Sequence, residues 1–248
     1  MKSATGWLVL ALALAAAGCG KKDASAPAAE TAAANPDAPA ASAPAGGWVD
    51  QVVATPEGGF RMGNPQAPVT LIEYGSMTCP HCADFSVNAS PRLKAGYVAT
   101  GKVSYEFRNF VRDGFDLTAA LLARCDGPEP FFKLTEQLYA TQQEWIGKIS
   151  ALPKAEQDRI QALPVDSQGP AVAQAAGLDQ FMKQRGIGWD KARSCIADKA
   201  AQDKLMSLRE GATTRFNLEG TPTFVVNGKK IDGAGWDALE PALKAAGG

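Results

Sequence analysis

The sequence predicts a small α/β domain that is interrupted by an all-helical insertion. A strand–helix–strand order begins at Val69, and an Asn227-Gly228 hairpin followed by a helix closes the chain. Between these two parts, from Gly114 to about Phe216, apolar residues recur at helical spacing. The chain has 248 residues, 46% hydrophobic and 21% charged, which is the composition of a soluble globular protein.

Charge and histidine content exclude several classes of function. The 25 Lys and Arg residues are balanced by 26 Asp and Glu residues, so the chain lacks the basic footprint that nucleic-acid binding needs. His81 is the single histidine, which rules out a histidine-rich metal site. Any serine–histidine triad would have to use that one imidazole. We expect neither a metal nor a cofactor.

The first 18 residues, 1–18, predict an export signal. Lys2 supplies the positive charge, Trp7 to Ala17 form an apolar core of 11 residues, and small residues precede Cys19. As a helix this core rises only about 16 Å, whereas the hydrocarbon part of a bilayer is ~30 Å thick. We therefore expect no retained membrane span from it.

Residues 19–47 predict a disordered tether, because a stretch rich in Ala and Pro buries too little surface to offset its ordering entropy. The segment that ends at Cys19 resembles the lipobox of bacterial lipoproteins, in which this cysteine is acylated, although Ala16 stands where that family more often has Leu. This resemblance implies a lipid anchor on Cys19. Ordinary signal cleavage, which would leave Cys19 as an idle thiol, is the alternative.

The first half of the folded part contains the strands and the helix of an α/β unit. Val69 to Tyr74 is an apolar run that predicts a largely buried strand. A helix is expected from about Cys79 to Ala99, kinked or divided at Pro91. Val103 to Arg108 alternates apolar with polar residues, which predicts a strand with one covered face. Val52 to Met62 suggests one extra edge strand.

The second half is helical until the hairpin. Within the helical block, the polar passage from Ile149 to Gly177 is broken by three prolines and predicts extra helix and loop on the surface. In the last helix, Trp236, Leu239 and Leu243 fall on one face. The folded part is therefore expected to divide into 48–113, 114–216 and 217–248.

The sequence Cys79-Pro80-His81-Cys82 carries the chemistry. Two cysteines three residues apart at a helix start lie on one face, within reach of a disulfide. Unpaired N–H groups and the helix dipole stabilise a thiolate on Cys79, and a protonated His81 adds favourable charge. A stabilised thiolate makes the disulfide a stronger oxidant. For His81, an exposed position with no task is the alternative.

Metal binding and a structural bridge are the other uses of a C-x-x-C motif. The chain has no second C-x-x-C to complete a tetrahedral zinc site, which favours redox chemistry. Glu73 lies in the apolar strand six residues before Cys79, where a carboxyl group is reluctant to ionise and could exchange protons with Cys82. In the alternative, the strand turns Glu73 to solvent.

The remaining cysteines predict a second bridge. With Cys19 set aside, local pairing of Cys79 with Cys82 leaves Cys125 and Cys195 as partners in an exported, oxidising setting. Two reduced, buried cysteines are the alternative.

The sequence resembles the DsbA-like thiol oxidoreductases of the thioredoxin superfamily from about Ala67 to the C-terminus. The resemblance is carried by Val69 to Cys82 with its Cys-Pro-His-Cys, by Gly220-Thr221-Pro222-Thr223-Phe224 before the hairpin, and by the helical insertion between them. It implies a thioredoxin-like fold whose strand–helix–strand half and hairpin–helix half flank the insertion.

The resemblance also implies roles for individual residues. Cys79 would be the attacking and attacked cysteine, Cys82 the buried resolving one, and Glu73 the buried acid near it. Pro222 matches a cis-proline that faces the disulfide, and Thr221 before it would present backbone groups to an extended substrate. Some relatives carry a second disulfide at the positions of Cys125 and Cys195.

Two departures from the family pattern concern the insertion and Thr221. The passage from Ile149 to Gly177 is longer than usual, and Thr221 stands where the best-known oxidases have Val, as in disulfide isomerases. We expect a periplasmic, monomeric oxidant that donates the Cys79–Cys82 disulfide to reduced exported proteins and is reoxidised by a membrane partner. An isomerase or reductase of the same fold is the alternative, and a metal- or protein-binding lipoprotein is the non-enzymatic one.

Overall fold

The computed structural model describes residues 43–248. The predicted signal at 1–18, the lipidation site Cys19 and the tether as far as residue 42 lie outside the described residues. Within the described residues, a six-stranded sheet has the order β1-β2-β4-β3-β5-β6. Its strands are β1 Val52–Ala54, β2 Phe60–Met62, β3 Val69–Gly75, β4 Val103–Asn109, β5 Thr223–Val226 and β6 Lys229–Lys230.

Helices pack against this sheet. They are α1 Pro80–Asn88, α2 Ser90–Leu93, α3 Gly114–Ala123, α4 Pro128–Ala140, α5 Gln142–Ser150, α6 Lys154–Gln161, α7 Val165–Ala175, α8 Leu178–Lys183, α9 Trp189–Ala197, α10 Lys199–Phe216 and α11 Trp236–Ala245. A π-helical turn, Lys94–Val98, continues α2. Between residues 43 and 248, none of the helices combines the length and apolarity that crossing a bilayer requires.

The predicted α/β fold with a helical insertion is confirmed. Strands β3 and β4 are parallel and joined through α1, and the β5–β6 hairpin adds to β3 in antiparallel register. Asn227 and Gly228 form the hairpin turn with φ of 47° and 79°, as this turn type requires. The insertion consists of α3 to α10. It follows β4 in the chain and ends before β5.

Aromatic contacts show which helices cover the sheet. On one face, Phe85 of α1 packs on Phe224 of β5 with ring centroids 4.6 Å apart. Phe132 of α4 packs on Tyr105 of β4 on the same face, at 5.3 Å. The opposite face is covered by α10, and both faces of the central strands are therefore buried.

Strand β4 differs from the prediction of one covered face, since all seven of its residues are buried. The polar residues on its second face lie under α10, where Glu106 and Arg108 neutralise each other through bonds of 2.7 and 2.9 Å. Burial is tolerated because the charges are paired and hydrogen-bonded. The polar alternation therefore marks a buried ion pair and not a solvated face.

Other boundaries are also corrected. The single strand predicted within Val52 to Met62 is two short strands, β1 and β2, paired around the turn that contains Gly58. The helix predicted from Cys79 to Ala99 is divided at Ala89, two residues before Pro91. The passage from Ile149 to Gly177 contains α6 and α7 and is mostly at the surface, as predicted, with α7 packed on α3.

Cys125 and Cys195 form a disulfide across 70 residues, which joins the end of α3 to α9. We expect the double variant Cys125→Ala/Cys195→Ala to lose about 4 kcal/mol of unfolding free energy, because the loop constraint on the unfolded chain is removed. Urea unfolding of the oxidised proteins measures this loss. A change below about 1 kcal/mol would show that the bridge adds little to stability.

Candidate active site

The catalytic motif lies where β3 passes into α1. We define Ser76–Cys79 as the active-site turn. Cys79 is the N-cap of α1 with extended backbone angles, and Pro80 is the first helical residue. A proline is favourable there because its missing N–H would have had no partner in the first turn. The N–H groups that follow, beginning with His81, are directed toward the Cys79 side chain.

The Cys79 sulfur lies against the segment that precedes β5. Its Sγ donates to Thr221 O at 3.1 Å, and the Thr221–Pro222 peptide bond is cis. The Cys82 thiol, the Thr221 hydroxyl and the backbone N–H groups of Cys82 and His81 outweigh burial and lower the pKa of Cys79 to about 5. Cys79 is only 3% exposed, so attack on its sulfur is confined to a narrow approach.

Cys82 lies one helical turn deeper and is completely buried. Burial, together with the hydrogen bond to Cys79 and the negative charges of Glu73 and Cys79, raises the pKa of the Cys82 thiol. The two cysteines are therefore strongly unequal. Cys79 ionises at a pH where Cys82 stays protonated, which supports the roles assigned to them from the family resemblance.

Glu73 lies beneath the cysteine pair on β3 and is 2% exposed, so the solvent-facing alternative is wrong. Tyr105 Oη donates to Glu73 Oε2 at 2.5 Å. Burial raises the pKa of Glu73 to about 8, against the Tyr105 hydrogen bond and with the help of the Cys79 charge. Glu73 is thus a protonated acid at neutral pH, and it lies close enough to Cys82 for its charge to raise the pKa of that thiol.

The structure brings together five of the predicted site residues: Glu73, Cys79, Cys82, Thr221 and Pro222. Pro80 and His81 are exposed on the first turn of α1. The backbone N–H of His81 is one of the groups that lower the pKa of Cys79, and the predicted favourable charge of its imidazole stays a prediction. In residues 43–248, no group of three His, Cys, Asp or Glu side chains is arranged to hold a metal ion.

Sequence reasoning missed the polar residues that surround the active-site turn. Asp116 and Gln142 are each 1% exposed and bind backbone groups of the turn. Burial raises the pKa of Asp116 to about 6, against its hydrogen bonds to the turn and to Arg112. Asp116 lies in α3 and Gln142 is the first residue of α5, and no local pattern in the sequence distinguishes them from polar helix residues that face solvent.

Thr221 provides a direct test of how Cys79 is tuned. Its Oγ1 is buried and has no hydrogen-bond partner within the described residues while Cys79 is a thiol, so it is available to the thiolate. We expect Thr221→Val, which keeps the shape, to raise the apparent pKa of Cys79 by roughly one unit. The ultraviolet absorbance of the thiolate against pH measures this, with Thr223→Val as the control. If the Cys79 titration of this variant matches wild type, the Thr221 hydroxyl does not stabilise the thiolate.

Comparison with known proteins gives a consistent result. A thioredoxin family model matches residues 55–245. The crystal structure of protein-disulfide isomerase from Novosphingobium aromaticivorans is 34% identical, with a TM-score of 0.71, over 75% of this chain and 95% of that one. Disulfide bond formation protein D of Bacillus subtilis is 30% identical over 194 residues, which cover 74% of each chain.

A Rickettsia bellii relative, named as a protein-disulfide oxidoreductase, is 27% identical over 186 residues, 75% of this chain. The alignment spans 63% of that relative's length. The family match covers most of the chain, and the structural match extends over the sheet and the helical insertion. The chain belongs to the thioredoxin family, and its relatives carry the names of disulfide oxidoreductases and disulfide bond formation proteins, as the resemblance implied.

Proposed function

We propose that the protein is a thiol oxidant that donates its Cys79–Cys82 disulfide to reduced client proteins. The observation that carries this proposal is the inequality of the two thiols, with the pKa of Cys79 lowered to about 5 and that of Cys82 raised. A stabilised Cys79 thiolate favours the reduced protein. The oxidised protein therefore gives up its disulfide readily.

The first step is attack by a client thiolate on Cys79 Sγ. A bond forms between the client sulfur and Cys79, and the Cys79–Cys82 bond breaks with its electron pair on Cys82. The Cys82 thiolate is unstable because that sulfur is buried. Glu73, protonated at neutral pH, is the nearby acid that supplies its proton.

The second step releases the oxidised client. A second client thiolate attacks the client sulfur of the mixed disulfide, and Cys79 leaves as a thiolate. The client has lost two electrons and the protein holds a reduced pair. Departure of Cys79 is easy because N–H groups of α1 and the Thr221 hydroxyl stabilise the thiolate.

The setting of this reaction follows from the sequence. An export signal and a lipid anchor on Cys19 would place the domain in the periplasm, tethered to a membrane, where reduced exported proteins are the clients. Reduced Cys79 and Cys82 then require an electron acceptor, for which a membrane partner is proposed from the family resemblance. We propose the domain limits 48–113, 114–216 and 217–248 and a monomeric state.

Disulfide isomerisation or reduction is the second candidate. Thr221 favours it, and the Novosphingobium aromaticivorans structure carries the name of an isomerase. An isomerase must stay reduced in its compartment, whereas an oxidant must be reduced by its clients. The reduction potential separates an oxidant from a reductant, and refolding of a scrambled disulfide substrate by the purified protein separates an oxidant from an isomerase.

We expect a reduction potential well above that of thioredoxin, about −270 mV, and closer to the −120 mV of a strong oxidant. Equilibration of the purified protein with glutathione buffers measures it. Alkylation of the reduced protein at mildly acidic pH tests whether the nearly enclosed Cys79 thiolate is reachable. A potential near that of thioredoxin, or a Cys79 that resists alkylation, would contradict the oxidant.

A further inference from the structure

Four consecutive carbonyl groups of the active-site turn, Ser76–Cys79, accept hydrogen bonds from side chains of the helical insertion or of the loop that leads into it. The contacts are Tyr139 Oη to Ser76 O at 3.1 Å, Gln142 Nε2 to Met77 O at 2.8 Å and to Cys79 O at 3.0 Å, and Arg112 Nη2 to Thr78 O at 3.1 Å. The insertion therefore holds the backbone of this turn at every residue.

Gln142, the first residue of α5, makes two of these contacts. Its amide nitrogen has two hydrogens, and each is directed to a different carbonyl, Met77 O and Cys79 O. Its Oε1 is buried and has no hydrogen-bond partner within residues 43–248. A flipped amide would direct that oxygen at two carbonyl oxygens, so the donor contacts fix the orientation of the side chain.

Asp116 of α3 binds an N–H group of the same active-site turn. Its Oδ1 accepts from Met77 N at 2.7 Å, and its Oδ2 accepts from Arg112 N at 2.9 Å. The N–H and the C=O of Met77 are thus both bound by buried side chains. The turn has little freedom to rotate about the residues that precede Cys79.

The Cys79 carbonyl links this network to the chemistry of the sulfur. Besides Gln142, it accepts from Ala83 N at 3.2 Å, the first hydrogen bond of α1. The orientation of this carbonyl fixes where the N–H groups of His81 and Cys82 lie relative to Cys79 Sγ. Those N–H groups help to stabilise the thiolate.

We propose that Gln142 is a positioning residue for disulfide transfer: by binding Met77 O and Cys79 O together, it holds the first turn of α1 against the Cys79 sulfur. The insertion thereby sets the reactivity of a cysteine that it does not contain. This inference rests on the proposed function, since it concerns the same thiolate. The inference adds Gln142, a residue of the insertion, to the groups that stabilise the Cys79 thiolate.

The test compares Gln142→Met, which keeps volume but removes both donors, with a matched control. Gln202 of α10 also donates from Nε2 to a backbone carbonyl, Ile196 O at 2.7 Å, within the same insertion. Full-length wild type, Gln142→Met and Gln202→Met are titrated by thiolate absorbance, equilibrated with glutathione and unfolded in urea.

Gln142→Met is expected to raise the apparent pKa of Cys79 by about one unit and to shift the glutathione equilibrium about tenfold toward the protein disulfide, equal to ~30 mV. Gln202→Met is expected to lose stability and to leave both values unchanged. If Gln142→Met loses stability while its thiol pKa and equilibrium match wild type, the residue is only structural and the proposal is wrong.

Tyr139→Phe covers the case in which Gln142→Met does not fold. It removes one hydroxyl from Ser76 O and keeps the ring, so we expect a shift in the same direction of about threefold. No shift in this variant would also overturn the proposal.

The wild-type measurement distinguishes the two proposals. A wild type in which Cys79 has an ordinary thiol pKa would contradict the proposed function itself. A low wild-type pKa that the variants leave unaltered would contradict only the role of Gln142.

Discussion

Replacement of Cys79 by Ser is expected to abolish disulfide transfer, with a loss of at least about 10³-fold in the oxidation of a reduced, unfolded substrate. The hydroxyl cannot form the mixed disulfide, and Cys82 cannot replace it because its sulfur is completely buried and its pKa is raised. The rate of substrate oxidation by stoichiometric oxidised protein measures this loss.

Cys82→Ser is expected to give a different product from Cys79→Ser. Its Cys79 thiolate can attack a disulfide of an oxidised client, so that a Cys79–client bond forms and one client sulfur leaves as a thiolate. No second thiol of the motif can resolve this intermediate, so the mixed disulfide should accumulate on non-reducing gels when the variant is mixed with an oxidised client. Cys125→Ala/Cys195→Ala, which alters only the distant bridge, should retain transfer. Residual transfer by Cys79→Ser, or adducts formed on Cys82, would contradict the assigned roles.

Glu73→Gln is expected to remove the loss of stability that the oxidised wild type shows as pH rises. The pKa of Glu73 is raised from 4.5 to about 8 in the folded state, mainly by burial. Between these values the folded protein binds a proton that the unfolded chain has released, so stability falls as pH rises. Integrated over that range the loss is roughly 3–5 kcal/mol, and Gln, which never ionises and still accepts from Tyr105, avoids it.

Urea unfolding of oxidised wild type and Glu73→Gln at pH 5 and pH 8.5 measures this difference. Glu106→Gln is the matched control, since this buried glutamate on the neighbouring strand is paired with Arg108 at 2.7 Å. It should destabilise the protein at both pH values by roughly 2–4 kcal/mol, because Arg108 loses its buried carboxylate partner and keeps only the more exposed Glu57 at 3.7 Å. Equal pH profiles for Glu73→Gln and wild type would show that Glu73 is not a buried, protonated acid.

Local patterns in the sequence were sufficient for the elements that place the cysteines. The apolar run of β3, the Pro80 signal for a helix start and the Asn227-Gly228 turn each depend on neighbouring residues, and each has the predicted conformation. The contact between Thr221 and Cys79 came from family resemblance, because 142 residues separate them. No periodicity connects positions so far apart.

Local patterns could not identify the polar residues that bind the active-site turn. Asp116 and Gln142 occupy polar positions of helices, and only tertiary packing decides which polar side chain faces inward. The charges of β4 misled the prediction for a related reason, since Glu106 and Arg108 neutralise each other under α10. Strands of three residues, such as β1 and β2, are too short for alternation to be read.

The long separation between Cys79 and Thr221 has a consequence for biogenesis. A chain whose last 30 or so residues have not yet folded already contains both thiols of the motif but lacks the contacts that Thr221 makes with Cys79. The Cys79 thiolate then lacks one of the donors that stabilise it in the folded protein. The carboxyl-terminal segment thus completes the stabilisation of this thiolate when its strand joins the sheet, so the last part of the chain to be made adjusts the reactivity of a motif that was made much earlier.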